Sequence, residues 1–260
     1  MFALEAAYAA AWLDGSQKVT DVVGIFVKKM FSWLAKTVAV LLFASVAAVV
    51  VLRWMPPPVS AMMLYQWGAA MLDGKVFNLR YRWVSMEEMS PRVAIAVVAS
   101  EDQRFPDHFG FDFEAMRRAW EENQHRKKIR GGSTISQQVA KNLFLWPGRS
   151  LVRKGMEAYF TLLLEGLWPK QRILEVYLNV AEFGPGIFGV KAASDAFFHK
   201  PPAKLTAREA SLLAAVLPNP KKMRAGKPSG YVAGRAQQIR KQMKQLGGPT
   251  YLKPILPGRS

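Results

Sequence analysis

Apolar and polar positions follow helical spacing over most of the chain beyond residue 85. Ser90 followed by Pro91 is typical of a helix start, and the apolar run behind it predicts a helix to residue 101. Further helices are predicted in four segments: 134–146 with Ser133 as N-cap, 150–168, 170–183, and 207–217 with a Thr206–Glu209 capping box. Residues 76–84 alternate as a strand does and predict one arm of a hairpin. The expected fold class is mainly α with a small β element.

An uncharged segment at 37–52 is bounded by Lys36 and Arg53. Its 16 residues form about 24 Å of helix, which spans a membrane if the flanking charged side chains extend outward. The segment starts too late in the chain for a cleaved signal peptide, so a retained anchor at 36–54 is predicted. Lys28, Lys29 and Lys36 precede it, and the positive-inside rule therefore places residues 1–35 in the cytoplasm.

Composition excludes several kinds of site. The 260 residues contain no cysteine, which excludes disulfides, Cys-ligated metals and a cysteine nucleophile. The three histidines lack the spacing of a helical metal site. The net charge of +17 is uneven, since residues 1–115 carry 10 basic and 11 acidic side chains and residues 116–260 carry 26 and 8. This asymmetry favours an anionic partner (nucleic acid, phosphate or a lipid headgroup), with a merely solubilising surface as the alternative.

Glu101 and Asp102 end an apolar helical run and open a polar loop. A carboxylate at the end of a buried helix is well placed for acid–base chemistry. From local chemistry alone, an ordinary surface carboxylate at a helix end explains the position better. Two acids are nevertheless unfavourable at a helix C-terminus, and local violations of this kind concentrate at functional sites.

Two further segments carry clustered polar groups. The glycines at 131–132 lead into a helix start, which suits an anion, although a capped polar helix explains the pattern equally well. The second segment contains Arg149, Arg153, Lys154 and Glu157. These side chains form either an ordinary surface ion pair or a cationic cradle for phosphate oxygens.

The chain resembles the peptidoglycan glycosyltransferases (glycosyltransferase family 51, also the N-terminal half of class A penicillin-binding proteins) from about residue 56 to 245. Five segments match in order and spacing: EDQRFPDHFG at 101–110, GGSTISQQVAKN at 131–142, RKGMEA at 153–158, KQRILEVYLN at 170–179 and FGPGIFGVKAAS at 183–194. No Ser-x-x-Lys occurs in the chain, so a monofunctional member without transpeptidase activity is expected.

The resemblance implies a lysozyme-like helical head with a smaller membrane-proximal jaw subdomain that includes the apolar stretch 59–72. The glycosyltransferase domain would occupy 55–245 and an irregular tail 246–260. The implied reaction polymerises lipid II into β-1,4 glycan strands and releases undecaprenyl diphosphate, by inverting attack of the acceptor 4-hydroxyl. The implied location is the bacterial inner membrane, with the catalytic domain periplasmic. Expected partners are lipid II, the growing glycan and the membrane, with cell-wall synthesis or division proteins as further candidates and no nucleic acid.

The resemblance assigns catalytic roles to Glu101, as the base, and to Glu157, which organises the diphosphate site. An ordinary ionised glutamate suffices for the base role. No cofactor is obligatory, and a divalent cation (Mg or Mn) at Glu157 is left open. Substrate binding is assigned to seven residues: Ser133, Gln137, Lys141, Asn142, Arg149, Arg153 and Lys154. Five others are expected to shape or support the site: Phe105, His108, Gly110, Tyr177 and Asn179.

Three other function classes compete with this interpretation. A peptidoglycan hydrolase or lytic transglycosylase needs its glutamate as an acid with a raised pKa, and has no use for a cation cluster beside a second glutamate. A membrane-anchored nucleic-acid-binding protein needs base-reading elements that the sequence does not show. A structural scaffold predicts that Glu101→Gln has no effect.

Overall fold

The computed structural model describes residues 2–124, 132–148 and 150–256, with side chains described from residue 26 except at 118–120 and 122–124. The chain divides into two units after Val51, and the first unit belongs to helix α1 (Phe2–Leu52). Within the described residues, the one stretch long and apolar enough to cross a membrane is the 27-residue segment Phe26–Leu52. This is the pattern of a single-pass anchor. The predicted anchor at 36–54 overlaps this segment.

The second unit is built mainly from helices. Among the described residues they are α2 (Ala61–Leu72), α3 (Pro91–Glu101), α4 (Phe113–Gln124), α5 (Ile135–Phe144), α6 (Leu151–Leu167), α7 (Lys170–Val180), α8 (Gly189–Phe198), α9 (Ala207–Val216) and α10 (Gly230–Gln245). Three short strands accompany them: β1 (Arg80–Tyr81), β2 (Glu182–Gly184) and β3 (Ile187–Phe188). The fold is therefore mainly α, as the sequence predicts.

Helix α3 lies in the core of the second unit. All seven residues from Val93 to Ala99 are buried, so the helix is apolar on every side and is enclosed by its neighbours. Helices α9 and α10 pack against it. Its predicted start is confirmed, since the Ser90 hydroxyl accepts a hydrogen bond from the Arg92 amide and Pro91 takes the first turn. The last residue of this fixed helix is Glu101.

A second group of helices faces the C-terminal end of α3. Helix α5 packs against α6 and α7 and also contacts α2. The Thr206–Glu209 capping box starts α9, as predicted, and the Ser150 hydroxyl caps α6, which the sequence predicted only as a helix over 150–168. Inside this layer the Asn179 side chain bonds both the amide and the carbonyl of Val84 at 2.9 Å. Asn179 thus ties α7 to the chain segment that precedes α3, which is the supporting role expected of it.

The strands correct the prediction of a hairpin arm at 76–84. Only Arg80–Tyr81 forms a strand, and it pairs in parallel with β3, while β2 pairs with β3 in antiparallel fashion. The sheet order is β1-β3-β2. Alternation of side chains marks a strand but does not identify its partner, and here the partner lies more than a hundred residues away.

Residues 246–256 also differ from the prediction of an irregular tail at 246–260, whose last four residues lie outside the described part of the chain. Gly248–Leu252 forms a 3₁₀ helix, and the side chains of Leu252 and Leu256 are buried. The Tyr251 hydroxyl donates a hydrogen bond to the carbonyl of Gln103 at 2.8 Å. Glycine and proline content suggested irregularity, but the buried leucines anchor this segment against α3.

Helix α2 carries an exposed apolar face. Met63 is buried, whereas five large side chains of the helix are at least half exposed: Leu64, Tyr65, Trp67, Met71 and Leu72. The sequence left open whether this stretch lies at a membrane interface or in the core, and the structure places only part of it in the core. A continuous exposed apolar face marks a surface that contacts lipid or protein.

Candidate active site

Glu101 is held at the C-terminal end of α3 with its side chain 15% exposed. The Ser100 hydroxyl donates to one carboxylate oxygen at 3.1 Å, and the Gln138 amide donates to the other at 3.2 Å. The Arg235 guanidinium lies 3.8 Å away. Burial raises the pKa of Glu101, and the contacts with Gln138, Arg235 and Ser100 lower it in part. Glu101 is therefore a stronger base than the ordinary glutamate that the sequence suggested.

Asp102 explains why two acids follow one another here. Its side chain is almost fully buried and accepts a hydrogen bond from His108 Nε2 at 2.9 Å and from the Ile135 amide at 2.9 Å. It therefore joins the end of α3 to the start of α5 and holds the following loop. Phe105 is fully buried in that loop, so Phe105 and His108 shape it, as expected.

The start of α5 corrects the predicted cap. Thr134 is the N-cap, and it forms a capping box with Gln137. The Thr134 hydroxyl also donates to the carbonyl of Gly110 at 2.6 Å. Ser133 lies one residue too early to cap and is exposed. Gln137, predicted to contact substrate, is only 2% exposed and its side-chain oxygen accepts from the Thr134 amide at 3.0 Å, so it serves the helix start.

Gln138 is the site residue that the sequence prediction missed. Its amide nitrogen faces Glu101, while its amide oxygen accepts a hydrogen bond from the Tyr177 hydroxyl at 3.0 Å. Tyr177 is buried, and burial raises its pKa, so the phenol stays a donor. The helical spacing of Gln138 with Lys141 and Asn142 was the available signal, because residues three and four apart share a face.

Lys141 and Asn142 lie on that same face of α5 and line a cleft of about 230 Å³ together with Gln138 and Tyr177. Burial lowers the pKa of Lys141. Glu157 and Glu101 raise this pKa, while Arg153 and Lys154 lower it. Both glutamates therefore lie within electrostatic reach of the Lys141 ammonium.

Glu157 is buried in α6, 3% exposed, and lies in contact with two cations. Arg153 Nη1 donates to one carboxylate oxygen at 2.7 Å, and the Lys154 ammonium donates to the other. The Arg153 Nε is also buried, without a hydrogen-bond partner among the described residues. Arg149, assigned to the same cluster by resemblance, lies outside the described residues.

These contacts also bear on a metal at Glu157. Both carboxylate oxygens are already bonded to cationic side chains, and a divalent ion there would be repelled by Arg153 and Lys154. Among the described residues, no three His, Asp or Glu side chains gather as a ligand set. The donor set does not fit a divalent cation, and we assign no chemical step to one.

Gly110 sets how closely the loop after Glu101 approaches α6. Its φ of +77° is left-handed, and a Cβ there would lie 2.7 Å from Thr161 Cγ2 and 3.0 Å from Glu165 Cγ. We expect Gly110→Ala to lower the free energy of unfolding by about 1–3 kcal/mol, from strain and overpacking. Urea unfolding measures this.

The matched control is Gly155→Ala in α6. A Cβ at Gly155 meets no atom within 4 Å, and the residue is helical. We expect this variant to be stabilised by about 0.5–1 kcal/mol. Similar stability changes in the two variants would refute the role assigned to Gly110.

The assembled groups suit one kind of chemistry. A carboxylate of raised pKa can accept a proton at one end of the site, and a cluster of cations at the other end can stabilise a developing negative charge. Lys141 lies within electrostatic reach of both ends. The geometry therefore fits displacement of an anionic leaving group by a hydroxyl.

Comparison with known families agrees with this geometry. A family profile described as Transglycosylase matches residues 71–244, more than half of the chain. This chain belongs to the transglycosylase family. The transglycosylase match includes every candidate site residue named above. It also makes the chain an enzyme that transfers glycosyl groups.

Curated relatives of this transglycosylase are similar over most of their length. One is the biosynthetic peptidoglycan transglycosylase of Shewanella oneidensis, 53% identical over 227 residues, which are 87% of this chain and 97% of the relative. A protein of the same name from Stutzerimonas stutzeri is 52% identical over 224 residues, 86% of this chain and 93% of the relative. A third protein of this name, from Pectobacterium carotovorum, is 50% identical over 230 residues, which are 86% of this chain and 94% of the relative.

Proposed function

We propose that this transglycosylase is a peptidoglycan glycosyltransferase that polymerises lipid II into β-1,4 glycan strands and releases undecaprenyl diphosphate. The observation that carries the proposal is the pairing of two glutamates in opposite surroundings. Glu101 is a partly buried carboxylate of raised pKa, whereas Glu157 is neutralised by Arg153 and Lys154. One end suits a proton acceptor and the other suits a diphosphate.

In the proposed step, the Glu101 carboxylate takes the proton of the acceptor 4-hydroxyl. The hydroxyl oxygen forms its bond to the donor's anomeric carbon from the face opposite the diphosphate, so the α-linked donor becomes a β-1,4 product. A raised pKa strengthens Glu101 as a base as long as it is ionised. The hydrogen bonds from Ser100 and Gln138 hold the carboxylate in place, and Gln138 itself lines the cleft.

As the bond from the anomeric carbon to the diphosphate breaks, its electron pair stays on the phosphate oxygen. No proton donor is needed there, because cations stabilise the charge. Among the described residues, these cations are Lys141, Arg153 and Lys154. We assign Arg149 the same role by resemblance. Arg153 is suited to forked contact with phosphate oxygens, since its Nε has no hydrogen-bond partner among the described residues.

A peptidoglycan hydrolase is the one rival that a specific observation favours. A general acid in such an enzyme also has a pKa raised by burial, and Glu101 has one. Two cations bonded to Glu157, with Lys141 as a third in electrostatic reach, favour the polymerase, because hydrolysis of a glycan produces no anionic leaving group. The absence of Ser-x-x-Lys supports a chain without transpeptidase activity.

We further propose that the apolar helix anchors the enzyme in the bacterial inner membrane, with the N-terminus cytoplasmic and the second unit on the outer side. Three lysines precede the apolar core of the helix and support this orientation. The exposed apolar face of α2 would contact lipid and bring the cleft to a membrane-bound substrate. Cell-wall synthesis or division proteins remain candidate partners.

The test is incubation of the purified full chain with labelled lipid II, followed by separation of the products by length. Glycan strands that form from lipid II, and whose formation moenomycin blocks, are the expected result. Cleavage of preformed peptidoglycan without polymerisation of lipid II would show that the hydrolase alternative is correct.

The position of Arg235 gives a prediction for the pH dependence. Arg235 lowers the pKa of Glu101, so Arg235→Met should raise it further. The base acts only when ionised. The acidic limb of the kcat/KM profile should therefore move to higher pH, which polymerisation rates measured across a pH series would reveal.

Arg240→Met is the matched control, because Arg240 lies on the same helix and donates instead to the Ser211 hydroxyl at 3.1 Å. It removes the same charge without touching Glu101. An equal displacement of the acidic limb in both variants would refute a direct effect of Arg235.

A further inference from the structure

A groove remote from the catalytic groups runs between β1 and α8. It encloses about 500 Å³ and is lined on one side by 79–82 and on the other by side chains of α8 and its C-cap, His199. None of its lining residues takes part in the contacts of Glu101, Lys141 or Glu157 described above. The groove therefore needs a separate explanation.

The groove carries excess positive charge. Arg80 and Arg82 are both exposed and line it. Among the described residues neither guanidinium forms an ion pair, although Asp195 is close by. Asp195 is already paired with Lys191 at 2.5 Å. Two arginines without acidic partners at one groove are ready to bind carboxylates or phosphates.

The backbone beside these arginines is also available. In the order β1-β3-β2, β1 is an edge strand, and it bonds to β3 on one side only, with the Arg80 amide donating to the Gly186 carbonyl at 2.8 Å. The opposite edge of β1 has no strand partner within the described residues. An edge of this kind is a template for one more strand.

The far wall of the groove has an unusual backbone position. His199 caps α8 with φ of 54°, the one non-glycine residue with positive φ in the described part of the chain. This left-handed cap ends the helix beside the groove and leaves the imidazole exposed. Non-glycine residues rarely adopt this conformation outside turns and functional sites.

We propose that this groove binds an extended acidic segment of a partner protein, which adds as a strand to the free edge of β1. Residues two apart in an extended chain are about 6.6–6.8 Å apart and point to the same side. Arg80 and Arg82 have this separation in sequence. They match a partner strand whose Glu or Asp side chains occupy two alternate positions. Each arginine can then form a forked contact with one carboxylate.

This proposal is independent of the catalytic assignment. The groove is built from β1 and α8, whereas the proposed catalytic groups lie on α3, α5 and α6. A binding assay can therefore succeed or fail whether or not the enzyme polymerises lipid II. The partner would recruit or regulate the enzyme without entering its active site.

The experiment uses the purified full chain and fluorescein-labelled eight-residue peptides of threonine and valine. One peptide has glutamates at two alternate positions, a second has the same two glutamates adjacent, and a third has glutamines at the alternate positions. Fluorescence polarisation measures binding. We expect the alternate-glutamate peptide to bind at least about tenfold more tightly than the other two.

The test variant is the double change Arg80→Glu and Arg82→Glu, and the control is Lys241→Glu, an exposed cation of α10 outside the groove. We expect the double variant to lose binding by about tenfold or more and the control to retain it. The double variant should instead bind a peptide with lysines at the alternate positions. Thermal unfolding checks that the double variant is folded. The double change Arg80→Ala and Arg82→Ala should give the same loss of binding to the alternate-glutamate peptide.

Several results would overturn the proposal. Equal affinity for the alternate and adjacent peptides, or equal losses in the double and control variants, would mean nonspecific attraction to a chain of net charge +17. Failure of the acidic peptide to bind at about 1 mM would also overturn it. A further result would overturn it: the chain binds phosphatidylglycerol vesicles through Arg80 and Arg82 but does not bind the peptide. The groove would then face lipid.

Discussion

Glu101→Gln should yield a folded protein that makes no glycan from lipid II. The substitution keeps the size of the side chain and one acceptor oxygen, which can accept from Gln138 while the new amide nitrogen donates to the Ser100 hydroxyl, but it removes the proposed base. Loss of a general base costs about 10²–10⁴-fold in rate, which puts polymerisation below detection in a length-resolved assay. Product length and initial rate measured on equal amounts of protein check this expectation.

Stability separates this explanation from unfolding. Because the pKa of Glu101 is raised in the folded state, its ionisation costs stability at pH values above that pKa. Glutamine removes this cost. The variant should therefore unfold at the same or a higher temperature than the wild type near pH 8, and the difference should shrink as the pH falls through the pKa.

The control variant is Glu121→Gln, at an exposed position of α4. It should polymerise normally and show no comparable gain in stability. Residual polymerisation by Glu101→Gln at the wild-type rate would eliminate Glu101 as the base. A lower unfolding temperature at pH 8 would contradict the effect of burial on its ionisation.

Arg153→Ala should lower kcat by about 10²-fold while changing KM for lipid II much less. A cation that contacts a leaving diphosphate is needed most when charge develops, so its removal affects the transition state more than the ground state. The side chain is only 10% exposed and bonded to Glu157, which keeps it in one place. Steady-state rates over a range of lipid II concentrations separate the two parameters.

Arg153→Ala also leaves Glu157 buried with one cation fewer, and we expect a loss of up to about 3 kcal/mol in the free energy of unfolding. Arg153→Lys restores the charge without the planar fork, so it should recover stability better than kcat. Lys154→Ala is the comparison, because Lys154 is 46% exposed and should affect stability less. Equal proportional losses in kcat and substrate affinity for Arg153→Ala would refute the assignment to the transition state.

The local features of the helices could be predicted from the sequence because they depend on neighbours in the chain. The starts of α3, α6 and α9 at Ser90, Ser150 and Thr206 follow from capping side chains and the apolar run behind them. The pairing of Arg153 with Glu157 also follows from helical spacing. Two acids at the end of α3 marked Glu101 as unusual, but its assignment as the base came from the resemblance to the glycosyltransferase family.

The predictions that failed depended on contacts between distant segments of the chain, or were in error by one residue. Ser133 was predicted as the cap where Thr134 caps the helix, and Gln137, assigned to substrate by the resemblance, is buried while its neighbour Gln138 bonds Glu101. Each residue turns a helix by about 100°, so such a shift exchanges a buried side for an exposed one. The partner of β1 and the raised pKa of Glu101 required the folded chain, because distant residues produce both.

The bond between the Ile135 amide and Asp102 makes the site observable without any substrate. Amides in the first turn of a helix have no partner within the helix and normally exchange with solvent deuterium quickly. Ile135 opens α5, yet its amide donates to a buried carboxylate next to Glu101. Exchange at this one amide requires the end of α3 and the start of α5 to separate. Its rate, read by mass spectrometry in detergent or in native membrane, therefore reports how often the catalytic frame opens.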